Sequence, residues 1–339
     1  MRLARVILLV APWAFILYTF RDVNAALDPF ADASLAPMLL GSLLILVAIF
    51  GFAILWIRLL SHLGGGQESP DVSHVLHAYA RSWLARYLPG KVWSLGARVV
   101  HTDASVMPRR LVARGLIYEL TPIMGSATAL GLGLWSWSVL GPTVGLPLLL
   151  VGIVAVIVLL WKLDAIISSA MGLIGKVVPQ RWTAASNVLE EVGQGRGLGA
   201  KESVLFTCGY LLNNLALSLG FVLIAASLAD VGWGDVPLLA GGYSLAAVIG
   251  MVAIFAPAGL GVREGILVGF SAPVLTAPVA ASVVILARII NILADLLFVG
   301  IVEGSTTISQ HKSRDARAGF KAGRPEHEEP VDSPGGPSI

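Results

Sequence analysis

Four arginines stand where an apolar chain has little reason to carry charge. Arg86 and Arg98 bracket the run Arg86-Tyr-Leu-Pro-Gly-Lys-Val-Trp-Ser-Leu-Gly-Ala-Arg98. Arg263 lies in Pro257-Ala-Gly-Leu-Gly-Val-Arg-Glu-Gly265, and Arg288 follows in an apolar stretch. A guanidinium offers a planar fork of donors that grips two oxygens of one phosphate or carboxylate. Acids and amides accompany them: Glu119, Glu264, Asp295, Asn213 and Asn214. Arg288, Asn291 and Asp295 are spaced i, i+3, i+7 and so share one helical face. Two chemistries fit these types. The residues converge on a cavity that takes an anionic group such as a phosphate, or they form internal ion pairs, such as Arg288 with Asp295 or Arg263 with Glu119. Ionisable groups inside apolar spans are expensive and by default mark a polar pathway. The expected binding set is Arg86, Pro89, Gly90, Arg98, Glu119, Asn213, Gly259, Gly261, Arg263, Glu264, Arg288 and Asp295.

Other chemistries have weaker support. His74 and His77 are three apart, but no further ligand set accompanies them, and the single cysteine, Cys208, rules out a Cys-rich metal site. Gly193-Gln-Gly-Arg-Gly-Leu-Gly199 follows no strand signal, so it does not read as a nucleotide loop. The acids Asp22, Asp28, Asp32, Asp230 and Asp235 form no paired motif for acid–base work. No catalytic residue, metal or cofactor is therefore assigned.

The elements that must carry these residues are membrane helices. Of 339 residues, 56% are hydrophobic and 13% charged, against ~45–50% and ~25% in soluble domains. This composition excludes an ordinary soluble globule, a disordered chain and a nucleic-acid binder. Long unbroken apolar runs suit helices, which satisfy their own backbone in lipid, rather than the alternating segments of a barrel. Runs near 6–20, 37–60, 111–137, 139–161, 204–228, 236–255, 265–275 and 279–302 make eight candidate spans; the seventh is too short to cross alone. Most of the 23 Lys and Arg fall at the N-terminus, in 58–114, in 162–201 and after 304. The positive-inside rule then places both termini in the cytoplasm of a cell bounded by an inner membrane. The basic start followed by Val23-Asn24-Ala25 also fits a cleavable signal. The expected domains are a membrane domain, 1–304, and a disordered cytoplasmic tail, 305–339, rich in charge, Pro and Gly.

Two features shape the membrane domain. Ser69-Pro70 reads as a cap and first helical residue, followed by an apolar stripe of Val72, Val75, Leu76, Tyr79 and Trp83. That helix either lies in the membrane interface or packs on the protein. Pro89-Gly90 and the Pro257 to Gly261 run are helix breaks, one in each half. Paired interruptions point to a transporter's central site, and two ordinary helix-end turns are the plainer alternative. The ladders Gly125/Ala129/Gly133 and Gly242/Ala246/Gly250 permit close helix approach, within the chain or at a dimer face.

These motifs resemble the transmembrane region of lysylphosphatidylglycerol synthases and the related flippase-like integral membrane proteins. The resemblance rests on Arg86, Leu88-Pro89-Gly90, Trp93, Arg98, Glu119, Pro257, Gly259, Gly261, Arg263, Glu264 and Gly265. It spans most of the chain, roughly Arg2 to Gly304. Leu120 and Ile123 stand where family members often carry an arginine and a second acid, so no acid pair is expected on that helix. The resemblance implies translocation of an anionic phospholipid or polyprenyl-linked lipid through a polar groove, with membrane lipid as the partner. The aminoacyl-transfer domain of the synthases is expected to be absent. Alternative readings are an accessory subunit of a separate lipid- or glycan-modifying enzyme and an integral-membrane transferase.

Overall fold

A computed structural model describes residues 33–65, 71–85, 98–99, 107–177, 197–253 and 261–322. Among them the regular structure is entirely helical: α1 (Leu35–Leu63), α2 (Val72–Leu84), α3 (Arg109–Leu140), α4 (Pro142–Trp161), α5 (Leu163–Val177), α6 (Ala200–Leu228), α7 (Val236–Val252), α8 (Val262–Ser271) and α9 (Ala277–Ala322). Five helices are long and apolar enough to cross a membrane: α1, α3, α4, α6 and the Ala277–Gly304 part of α9. They coincide with five of the eight expected runs. The sixth run is α7, whose 17 residues reach roughly 25 Å at 1.5 Å per residue. The seventh overlaps α8, ten residues long. The first run lies outside the described residues.

The surface agrees with a multi-pass membrane protein. On α4, Leu150, Val151 and Val154 are more than half exposed, as are Leu39, Leu43 and Val47 on α1. Water would penalise such apolar surface, whereas lipid does not.

The chain divides into two units, Met1–Val299 and Gly300–Ile339. In the first, α6 packs against α1, α3, α4 and α7. It runs antiparallel to α1: Gly41 meets Gly220, Gly51 meets Asn213, and Gly209 meets Leu55. A Cβ on Gly41 would stand 2.7 Å from the Gly220 carbonyl oxygen. Helices α3 and α4 form a hairpin through Gly141, whose φ of 88° demands glycine, with Pro142 opening α4. Along that hairpin Gly125 faces Val156, Ala129 faces Gly152, and Gly133 faces Leu149. Gly242 and Gly250 face Phe270 and Arg263 of α8. Both ladders therefore act within the chain.

Sequence and structure differ at two ends. The cap of α2 is Asp71, whose carboxylate accepts the Ser73 N–H at 3.0 Å, two residues after the expected cap Ser69; Ser69 and Pro70 lie outside the described residues. In the second unit the helix continues to Ala322, where a disordered tail was expected from 305. Residues 305–318 contain neither Gly nor Pro, so the charged composition meets no helix breaker before Gly319.

Candidate functional site

The first cluster forms around Arg98. Helix α2 turns Val75, Ala78, Tyr79, Ala80 and Ser82 inward, so its stripe packs on the protein. Val72, at the helix start, is exposed. Tyr79 stacks on Trp83 and lies beside Trp56 of α1. The Arg98 guanidinium sits between two of these rings, 4.5 Å from the Trp56 centroid and 4.3 Å from that of Tyr79. Its Nε donates to Ser82 Oγ at 3.1 Å, and its Nη1 donates to Glu119 Oε2. Arg98 and Glu119 are both buried, at 7% and 3% exposure. Burial, the largest single influence, works against the Arg98 charge, but the facing Glu119 carboxylate together with Tyr79 and Tyr210 outweighs it, and the net direction is upward, so Arg98 stays a cation. This pair is a salt bridge inside an aromatic box, made by α1, α2, α3 and the separate segment that carries Arg98.

The same box reaches α9. Trp83 Nε1 donates to Asp295 Oδ1 at 2.8 Å, and Phe298 packs edge-on against Tyr79 and Phe50. Asp295 is fully buried. Its position seven residues from Arg288 had suggested a pair with that arginine; its hydrogen bond goes instead to an indole.

The second cluster forms where the chain re-enters a helix after the second break. Gly261 has φ 80° and caps α8; its N–H donates to Glu264 Oε2 at 2.7 Å. Glu264 Oε1 also meets Arg288 Nη1 at 3.6 Å. Arg263, half-buried beside them, lies 4.7 Å over the Tyr243 ring of α7. Among the described residues no carboxylate pairs with Arg263. The expected Arg263–Glu119 pair is not formed, because Glu119 is committed to Arg98. Helix α7 ends at Val252 and α8 begins at Val262, which agrees with a break there; Pro257 and Gly259 lie outside the described residues. So do Arg86, Pro89 and Gly90.

The third feature is a polar stripe on the central helix. Ser203, Thr207, Tyr210, Asn214 and Ser218 recur every three or four residues on α6, and all are buried. Asn214 Nδ2 donates to Ser126 Oγ at 2.9 Å and to the Ile123 carbonyl at 3.1 Å. These bonds fall just after Pro122, which interrupts the α3 ladder. Ser218 Oγ shares a 2.8 Å hydrogen bond with Ser244 Oγ of α7. Asn213, the amide expected in the site, instead lies against the Gly51 backbone. Glu119 Oε1, the Tyr210 hydroxyl and the Thr207 hydroxyl have no hydrogen-bond partner among the described residues.

The structure therefore joins Arg98 with Glu119 and Glu264 with Arg288. Sequence reasoning missed Trp56, Tyr79, Ser82 and Tyr210. The stripe on α6 was readable as a period-3.6 polar series within an apolar run. Also missed was the Asp164 carboxylate, which takes hydrogen bonds from Arg114 and from the Tyr118 hydroxyl and ties α5 to α3.

A cavity of about 670 Å³ opens between the far ends of α3, α7 and α8, lined by Trp135, Ser138, Asp235, Leu238, Phe270 and Pro273. No protein-family model matches the chain, and no curated protein matches it.

Proposed function

We propose that this protein translocates an anionic lipid between leaflets, with Arg263 as the first cation to engage the headgroup. The observation that carries the reading is Arg263 itself: half-buried in a membrane helix bundle, resting on a tyrosine face, with no carboxylate partner among the described residues. A charge held in such a place calls for a ligand of opposite sign. Arg288 and Arg98 follow as sites whose own carboxylates, Glu264 and Glu119, hold them while the path is empty. A phosphate that replaces a carboxylate exchanges one charge-assisted hydrogen-bond partner for another, so its passage is not blocked by a deep well. In this reading the chain crosses an inner membrane eight times with both termini cytoplasmic, and the α7–α8 break lies within the membrane beside the path. The resemblance to the flippase-like membrane region points to phospholipid or polyprenyl-linked headgroups.

Purified protein in vesicles, supplied with a fluorescent phosphatidylglycerol, tests this directly. Acceleration of label exchange between leaflets supports translocation. Chemical turnover of the lipid points to an integral-membrane transferase, and neither outcome points to an accessory subunit. Loss of exchange in Arg263→Gln, with thermal stability kept, locates the headgroup contact.

A further inference from the structure

We propose that Glu119 binds a proton whenever an anionic headgroup draws Arg98 away, so that this protein carries one proton with each anionic lipid. The inference rests on the lipid-translocation reading and adds its driving force.

The geometry is specific. Glu119 holds Arg98 through Oε2 alone; Oε1 is buried and has no hydrogen-bond partner among the described residues. Two hydroxyls on the inward stripe of α6 share that condition. Tyr210 lies within electrostatic reach of Glu119, Arg98 and Tyr79, and Thr207 stands one turn away on the same face. Buried polar atoms are normally satisfied, and where protein supplies no partner, ordered water does. Two orphaned hydroxyls on α6 and the unpartnered oxygen of a buried carboxylate describe a place for water or a transferable proton.

The steps balance. A headgroup phosphate oxygen accepts the Arg98 Nη1 hydrogen, and the Nη1–H···Oε2 bond to Glu119 breaks. Glu119 is then a buried carboxylate without a counter-ion, a state that low dielectric disfavours, and the group neutralises instead. A proton from water on the donor side adds to Oε1, passing by way of the Thr207 and Tyr210 hydroxyls. When the headgroup leaves on the other side, Glu119 releases the proton and takes Arg98 back. The other titratable or charged groups around this pair, among the described residues, are Tyr79 on α2 and, one turn along α3, Arg114 with its partner Asp164. Asp295 stands behind Trp83. Arg114 is already paired with Asp164, and Asp295 already accepts from the Trp83 indole. Glu119 differs from Glu264, the other acid paired with a path arginine, in that its second oxygen has no hydrogen-bond partner among the described residues, whereas both Glu264 oxygens are engaged.

A singly charged headgroup moving with one proton carries no net charge. One unit of pH difference then sustains about a 10-fold ratio of lipid between leaflets. The full chain is reconstituted in vesicles with trace fluorescent phosphatidylglycerol, and the membrane potential is clamped with potassium and valinomycin. Chemical quenching of the outer leaflet reads the distribution. The expected result is enrichment approaching 10-fold in the leaflet facing the alkaline side, and none without a gradient. Glu119→Gln, which is neutral at every step, removes the proton carrier, and whatever label exchange it retains should equalise rather than follow the gradient. Tyr210→Phe removes only an unpartnered hydroxyl and should slow the approach to the same ratio several-fold. Wild-type exchange that ignores the gradient overturns the inference and leaves the lipid reading standing. A Glu119→Gln protein that still follows the gradient overturns it too. Failure of any label to move overturns both.

Discussion

The Arg98–Glu119 pair allows a quantitative test through single and double replacement. Glu119→Leu leaves a buried guanidinium between two rings without its facing carboxylate, with Nε still donating to Ser82. Removing one member of a buried ion pair costs roughly 3–5 kcal/mol, because the remaining charge keeps its desolvation penalty without compensation. Arg98→Met alone strands Glu119 with both oxygens unpartnered and should cost a similar amount. The double replacement behaves differently. It removes both desolvation penalties and the orphaned Oε1 together. Two ring contacts with the cation are lost, each worth about 1–2 kcal/mol when desolvated. A thioether between the same rings recovers about 0.3–1.5 kcal/mol per contact. Ser82 keeps its hydrogen bond to the Tyr79 carbonyl at 2.8 Å and so is not stranded. The double variant should therefore lie within about 2 kcal/mol of wild type, with a coupling of at least about 3 kcal/mol between the sites. Reversible unfolding in mixed micelles, followed by tryptophan fluorescence, measures all four proteins of the cycle. Additive losses would refute the claim that the pair is a buried, mutually dependent unit. The stable double variant should also have lost lipid exchange, which separates a binding role from a structural one.

Three further outcomes follow from the same geometry. Arg263→Lys keeps the charge but loses the bidentate fork; it should weaken headgroup binding by about 10- to 150-fold, the equivalent of roughly 1.5–3 kcal/mol, with unfolding unchanged. Binding of a labelled anionic lipid to detergent-purified variants reads this, and normal binding by Arg263→Ala would defeat the assignment. Gly41→Val pushes a side chain into the Gly220 carbonyl, a backbone atom that cannot swing aside, and should destabilise the α1–α6 crossing by about 1–3 kcal/mol in the same unfolding assay. In a background with Cys208 replaced, a cysteine at Asp235 should react with an impermeant reagent from outside, and cysteines at Ser105 and in the tail only from inside; outside labelling of the tail contradicts an even number of crossings.

The amino-acid sequence alone determined the class of the molecule, because the cost of burying backbone and charge in lipid acts on composition and run length. Five helices long and apolar enough to cross a membrane stand where apolar runs of 20 or more residues stand, and the two small-residue ladders lie at close helix contacts. The break before Arg263 was legible for the same local reason, since proline and glycine act on their own backbone. Pairing was not legible. Glu119 had suggested Arg263 as a partner, and Asp295 had suggested Arg288; tertiary structure joined Glu119 to Arg98 and Arg288 to Glu264, and gave Asp295 to an indole. A helix fixes which residues share its face but not which neighbour that face meets, and charge attracts without specifying sequence distance. The aromatic box needs Trp56, Tyr79 and Arg98 from three separate elements. Ordinary packing residues acquire a role there only when the fold brings a cation between them.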